Sequence, residues 1–387
     1  MKALRTNRKI TPIITTMILL TGCGGSSDKV EPPPPPVVAV VDYQNIIDEI
    51  VSDDIPGIIM LVESPEAKFI GSAGFSDVET SQTMQISDVM PTASSGKKMI
   101  ALLALQLADE GALNLDDTID TWLDADVLSQ IENSAQITLR QLLNHTSGIF
   151  NFVDVNDGDT YTELLLSEPD VLKTDIDFIA LAYNQPAYFM PGEGYAYSNT
   201  GYALAGLILD KVLGEHHSTE LRNRYFDPLG MTSTFYRGIE ASQGDFTSGY
   251  VTTDEGDIIN AKPFLINTAQ ASAPVVSSVE DMAIFLKMLI TDDAFVNDDV
   301  RNNMFGETNL ITQPSGDKTG LGIDVVEIQG NTVYAHAGLT FGYMVQSAYI
   351  EDKETSITIF LNCGSGGEDP CSLGLDSLIQ EVLAEEL

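Results

Sequence analysis

A serine followed three residues later by a lysine, at the start of a helix, places a hydroxyl and an amine on one face one turn apart. The amine can then take the serine proton and let the oxygen attack a carbonyl. The helix N-terminus favours negative charge developing on that oxygen, and burial lowers a lysine pKa into the range of a working base. The spacing alone is unspecific here, because it occurs four times: Ser26/Lys29, Ser94/Lys97, Ser95/Lys98 and Ser315/Lys318. Ser26 falls in a Gly-Ser-Pro stretch, and Ser315 sits in Pro-Ser-Gly-Asp with no apolar run behind it. Only the pairs around residue 95 open a helix, since residues 99–109 are nearly all apolar and stop at Gly111.

The choice between the two overlapping registers comes from the surrounding sequence. Gln106-Leu107, Gly111 and Leu113 with Asp117 beyond them, 137–148 ending in Asn144-His145-Thr146-Ser147-Gly148, Pro191-Gly192, Pro228 to Met231, and Ser277 to Asp281 follow one another in order. From about Gly74 to the C-terminal strands this pattern resembles the family of class C β-lactamases, D-alanyl-D-alanine carboxypeptidases and related esterases. The resemblance selects Ser94 as nucleophile and Lys97 as its base. Of two Tyr-x-Asn copies, Tyr43/Asn45 and Tyr197/Asn199, it selects the second, in which Tyr197 passes a proton to the leaving group and Asn199 binds substrate and orients the lysine. A third family motif has two candidates: Lys318-Thr319-Gly320, and His336-Ala337-Gly338 followed by Leu339. Context favours His336, because Lys318 precedes Leu321-Gly322-Ile323-Asp324, which matches an earlier strand. The backbone amides of Ser94 and Leu339 would then form the oxyanion hole, with Gly338 allowing close approach.

The sequence departs from the family in three places near the expected cleft. Met90-Pro91-Thr92-Ala93 stands before the nucleophile where an aromatic and a basic residue are usual, Ser95-Gly96 replaces a more common Val-Thr, and Ala273-Pro274 replaces a glycine pair. Histidine in place of the third-motif lysine also removes a fixed positive charge. The expected substrate is therefore a peptide or an ester ahead of a β-lactam.

These residues need a frame to hold them. The sequence predicts a helix over 43–51, a hairpin of strands 57–63 and 67–72, helices over 99–109, 138–143 and 199–213, strands over 332–336, 343–350 and 356–361, and a closing helix over 373–387. Strands at both ends around a helical middle predict an α/β (α+β) domain over 42–387: one antiparallel sheet from the N- and C-terminal segments, flanked by helices, with a mainly helical lobe over roughly 115–265. The resemblance implies the β-lactamase/transpeptidase-like fold.

The N-terminus reads as an export signal over 1–22, with Lys2, Arg5, Arg8 and Lys9 ahead of the apolar run 13–20. Leu20-Thr21-Gly22-Cys23 resembles a lipobox, so Cys23 is expected to carry lipid, and 23–41, with prolines at 32–36, reads as a tether. The expected location is the bacterial cell envelope: lipid-anchored, at the outer membrane facing the periplasm or at the secreted surface. In an exported protein Cys363 and Cys371 are expected to pair, and neither has the His or Cys company of a metal site. Neither a metal nor an organic cofactor is implied. A net charge of −38 over 387 residues opposes binding to phosphate backbones, so nucleic acid is not an expected partner. His145 reads as structural, and His216 and His217, just past a helix end, as exposed. The function these readings favour is acyl transfer from a small peptide, ester or β-lactam through an acyl-enzyme. The alternative is a non-catalytic lipoprotein of the same fold that binds cell-wall peptide or a partner enzyme.

Overall fold

The structure, a computed structural model, describes residues 41–240, 244–253, 257–364 and 370–387. The signal segment, Cys23 and the tether as far as residue 40 lie outside the described residues. Helix α1 (Tyr43–Ile50) leads into strands β1 (Gly57–Glu63) and β2 (Lys68–Asp77). The C-terminal part supplies β3 (Asp324–Ile328), β4 (Asn331–Thr340), β5 (Tyr343–Ile350), β6 (Thr355–Leu361) and a closing helix, Pro370–Glu386. The sheet runs β2-β1-β6-β5-β4-β3, extended at its ends by the two-residue strands Gln82–Thr83, Lys318–Thr319 and Ile311–Thr312. Every pairing is antiparallel, and the two chain ends meet where Met60 lies opposite Ile359.

The apolar runs in the central strands follow from burial of both sheet faces. Ile58, Met60 and Val62 pack with Ile47 of α1 and with Leu375, Leu378 and Val382 of the closing helix. Ile59 and Leu61 face the other way, into the larger core built on α2 (Lys97–Asp109) and on α3 (Asn199–Leu213). Helix α2 is buried almost all round, from Lys97 to Leu105, which explains its nearly unbroken apolar sequence. Gly214 ends α3 at φ +76°, a conformation that favours glycine.

The segment between the sheet halves is mainly helical from Ile119 to Phe226. Past it, inside the stretch expected to be helical, Phe235–Tyr236 and Tyr250–Thr252 with Ile258–Asn260 are short strands. Phe235–Tyr236 pairs with Val275–Ser277, which also pairs with Met90–Pro91 just before the nucleophile. Distant pairing partners decide that structure, and local sequence does not show it. Cys363 and Cys371 are joined by a disulfide. Among the described residues no helix is long and apolar enough to cross a membrane.

Candidate active site

Ser94 sits in a short 3-10 turn, Ala93–Gly96, and α2 begins at Lys97. The turn is pinned from below: the Thr92 amide and hydroxyl both donate to the Val275 carbonyl, at 2.9 and 3.1 Å. Ala93 holds φ +48°, which is costly for a residue with a Cβ and lies directly before the nucleophile. Ser94 is half-buried and lines a cavity of about 670 Å³ together with Tyr197, Asn199, His336, Gly338 and Leu339. Ser95 and Lys98 are wholly buried, bonded to each other at 3.0 Å, and line no part of that cavity. The two registers seen in the sequence thus face different surroundings, and only Ser94 reaches open space.

Lys97 Nζ lies 3.0 Å from Ser94 Oγ, 2.7 Å from Asn199 Oδ1 and 2.6 Å from the Ser272 carbonyl. Burial pushes the Lys97 amine well below the ordinary lysine pKa, and among the described residues no carboxylate pairs with it. A neutral amine has two N–H donors and one lone pair. Asn199 Oδ1 and the Ser272 carbonyl are acceptors, so in the neutral form of Lys97 they take the two N–H groups and leave the lone pair for the Ser94 hydroxyl proton. In that form Lys97 can take a proton from Ser94.

Asn199 opens α3, and its amide is fixed in turn by Asn151, whose Oδ1 accepts from the Asn199 backbone at 2.9 Å and from its side chain at 3.3 Å. The Tyr197 ring lies 5.0 Å from Lys97 Nζ. Its hydroxyl is buried without a hydrogen bond of ordinary geometry, and burial raises its pKa, with Ser94 close enough to oppose part of the rise. The phenol is therefore protonated at neutral pH and is not committed to a protein acceptor. His145, at 4.2 Å ring to ring, backs Tyr197 and accepts the Ser198 amide proton on Nδ1. Burial holds His145 neutral.

His336 lies on β4 with its ring 6.4 Å from that of Tyr197. Its Nδ1 donates to the Ala337 carbonyl at 2.6 Å, leaving Nε2 as the acceptor nitrogen. Burial, with the Lys97 charge adding to it, lowers its pKa to about 3, so it carries no positive charge near neutrality. Lys318 is exposed on a short outer strand and does not line the cavity. Pairing of β4 with β3 ends at Ala335, so the edge of β4 from His336 to Thr340 is free to face the nucleophile turn. Gly338 lies so close to that turn that a Cβ would stand 2.3 Å from the Thr92 carbonyl oxygen.

The expectation that His216 and His217 are exposed is corrected. His217 is wholly buried between Asp210 and the Tyr236 hydroxyl, each 2.8 Å from a ring nitrogen, and His216 stacks on it at 4.5 Å. The turn at Gly214 folds both rings back onto α3. With Asp210 they form a group of metal-ligating types, but both His217 nitrogens are already bonded within the protein.

Sequence reasoning misses three members of the site. Asn151, the Ser272 carbonyl and the His145 support of Tyr197 each reach the site through loop packing. Asn151 alone carries a signal, as a lone polar residue within Ile149-Phe150-Asn151-Phe152.

A serine with a buried lysine of lowered pKa at its oxygen, a free strand edge beside it and a protonated tyrosine above it define an active-site serine hydrolase of the kind that cleaves amides and esters. The chain belongs to the Beta-lactamase family, whose model matches residues 43–376. It is 25% identical over 317 residues to a penicillin-binding protein of Bacillus subtilis strain 168, covering 78% of this chain and 67% of that protein. It is 27% identical over 252 residues to Protein flp of Staphylococcus aureus strain N315, of whose length it spans 49%. Among solved structures, a D-stereospecific amidohydrolase from Streptomyces sp. superposes with TM-score 0.72 at 25% identity, covering 82% of this chain and 93% of that one. A D-amino acid amidase from Ochrobactrum anthropi SV3 shares the fold at TM-score 0.74 and 22% identity, covering 89% of this chain and 99% of that one.

Proposed function

We propose that this chain cleaves the amide or ester bond of a small peptide-like substrate, including amides of D-amino acids, through an acyl-enzyme on Ser94. The observation that carries the reading is the 3.0 Å approach of a buried Lys97 amine to Ser94 Oγ. Lys97 takes the Ser94 proton as Ser94 Oγ bonds to the carbonyl carbon. The backbone N–H groups of Ser94 and Leu339 hold the oxyanion, and Tyr197 donates its proton to the departing nitrogen or oxygen as that bond breaks. Lys97 returns a proton to Tyr197. Water then attacks the acyl carbon as Lys97 takes its proton, and Lys97 passes that proton to Ser94 Oγ as the acyl bond breaks. Asn199 keeps Lys97 in place and meets the substrate, and neutral His336 offers it an acceptor in place of a positive charge. The similarity to the amidohydrolase from Streptomyces supports the amide and the D configuration.

The test is labelling by a fluorophosphonate, followed by turnover of D- and L-phenylalanine amides, a D-Ala-D-Ala peptide, short-chain esters and a chromogenic cephalosporin. The expected result is label on the wild type, none on Ser94→Ala, and faster release from a D-amide or an ester than from the cephalosporin. A wild type that takes no label would overturn the catalytic reading in favour of a binding lipoprotein. We further propose that residues 1–22 are removed, that Cys23 carries lipid, and that 23–41 tether the domain to the cell envelope. Incorporation of an alkyne fatty acid into the wild type, and not into Cys23→Ala, is the expected outcome.

A further inference from the structure

One wall of the Ser94 cavity holds buried hydrogen-bond donors that make no bond of ordinary geometry to the described residues. Gln270 lines the cavity and is 3% exposed. Its Oε1 accepts from the Ser272 hydroxyl at 3.1 Å, which fixes the amide, and its Nε2 is buried near the Tyr161 hydroxyl without a hydrogen bond of ordinary geometry to any described residue. Arg237 lies just behind, 1% exposed. Its Nε donates to the Thr268 carbonyl and its Nη2 to that of Ala273, a cavity residue, while Nη1 is buried and unpartnered. Among the described residues no carboxylate pairs with Arg237. A buried guanidinium without an acid is expensive to fold around, and such cases call for an explanation.

Two further hydroxyls of the cavity wall belong to the same cluster. Burial raises the Tyr161 phenol pKa, and the Arg237 charge with the Gln270 and Thr340 side chains near its oxygen opposes part of that rise. Tyr161 and Thr340 line the cavity beside Gln270. Of the acids of the cavity, Asp159 is exposed, two residues before Tyr161 on the helix Asp159–Leu166, and Asp324 is held by the Gln313 amide at 2.8 Å, where its charge acts on Lys98, Tyr195 and Tyr197. The wall around Tyr161 is thus rich in donors and backed by a cation that no carboxylate pairs with among the described residues, while its neighbouring acid, Asp159, is exposed.

We propose that Tyr161, Gln270 and Thr340, with the charge of Arg237 behind them, form a subsite for a carboxylate on the substrate. The subsite rests on the reading of Ser94 as the nucleophile and specifies its substrate class: amides or esters that also carry an anionic group. It returns to the cleft, at another place, the positive potential that a neutral His336 does not supply.

The test compares p-nitrophenyl half-esters of succinate, glutarate and adipate with the same esters capped by methyl at the far carboxylate. At least one half-ester is expected to show a kcat/KM ten or more times that of its methyl-capped partner. In Tyr161→Phe and in Gln270→Leu that ratio falls toward one, chiefly through KM, and Arg237→Met behaves likewise if it folds. Cleavage of the capped esters with no half-ester preferred overturns the carboxylate subsite and leaves the serine hydrolase standing, as does a preference that survives both Tyr161→Phe and Gln270→Leu. If Ser94 takes fluorophosphonate but no ester turns over, the ratio is read as slower labelling in the presence of half-ester than of capped ester, and equal rates overturn the subsite. Neither label nor turnover overturns both readings.

Discussion

The ring of Pro274 occupies the space that a side chain on Gly96 would need: a Cβ at Gly96 would stand 2.8 Å from both Cδ and Cγ of Pro274. These two residues are separate departures from the family pattern in the sequence, and in the structure they are one. The missing side chain in the nucleophile turn makes room for the proline that replaces a glycine. The same segment presents the Ser272 carbonyl to Lys97 at 2.6 Å, so their fit bears on the base as well as on packing.

Gly96→Thr restores the common family residue and is expected to damage this protein. Overpacking a tight contact costs about 1–3 kcal/mol, and displacement of Ser272 slows labelling of Ser94 as well. Adding Pro274→Gly recovers both. A double-mutant cycle on melting temperature and labelling rate measures the coupling, and additive effects would show that the two sites are independent.

Gly338→Ala puts a methyl group 2.3 Å from the Thr92 carbonyl oxygen, an approach no relaxed backbone accepts. The strand edge must move away from Ser94, and a shift of about 1 Å in a positioned group costs on the order of 100-fold. Turnover is expected to fall by about that factor while circular dichroism keeps its wild-type form. Turnover within twofold of wild type would place the oxyanion donors elsewhere.

The two overlapping Ser-x-x-Lys pairs separate by mutation. Ser94→Ala abolishes label and lowers turnover by about 10³-fold or more. Ser95→Ala keeps the label, because Ser95 is buried away from the cavity, but it takes from Lys98 Nζ its Ser95 partner at 3.0 Å. That loss lowers stability by about 1–3 kcal/mol, read from denaturant midpoints. Label lost in Ser95→Ala and kept in Ser94→Ala would reverse the register.

The rate of labelling depends on the neutral form of Lys97, whose pKa in the folded protein lies well below 10.5. The rate therefore rises with pH through that lowered value and is level by the pH at which an ordinary lysine begins to lose its proton. Burial raises the Tyr197 phenol, so its ionisation does not bring the rate down below about pH 10. His336, with its pKa lowered to about 3, contributes no inflection near 6.5. Profiles of wild type and His336→Asn are expected to share one rising limb, and an inflection near 6.5 present in the first and absent from the second would show that His336 is charged.

Ser94, Lys97, Tyr197, Asn199, His336 and Gly338 are legible in the amino-acid sequence because each belongs to a short local motif, and the resemblance to a known family chooses among the copies of each motif. A serine and lysine three residues apart on a helix must share a face, and strand alternation with glycine at 338 marks a close approach. The pairing of chain ends into one sheet follows from strand signals at both ends. The second Ser-x-x-Lys pair, the lysine-threonine-glycine triplet at 318 and the two histidines past α3 show the limit. Their local patterns match the motifs or the surface equally well, and whether a side chain faces a cavity, solvent or core depends on what packs over it.

By itself the sequence predicted the helix behind Ser94 and the strands at both chain ends, since backbone preference and apolar periodicity act over a few residues, and its resemblance to a known family selected the register of the nucleophile. Only the tertiary structure decided that Lys97 shares its proton donors with Asn199 and the Ser272 carbonyl, 102 and 175 residues away, and so keeps its lone pair for Ser94. It alone brought Pro274 against Gly96 and left Arg237 without an acid beside the cavity. Contacts of that kind are set by desolvation and shape across the whole core, and no window of sequence contains them.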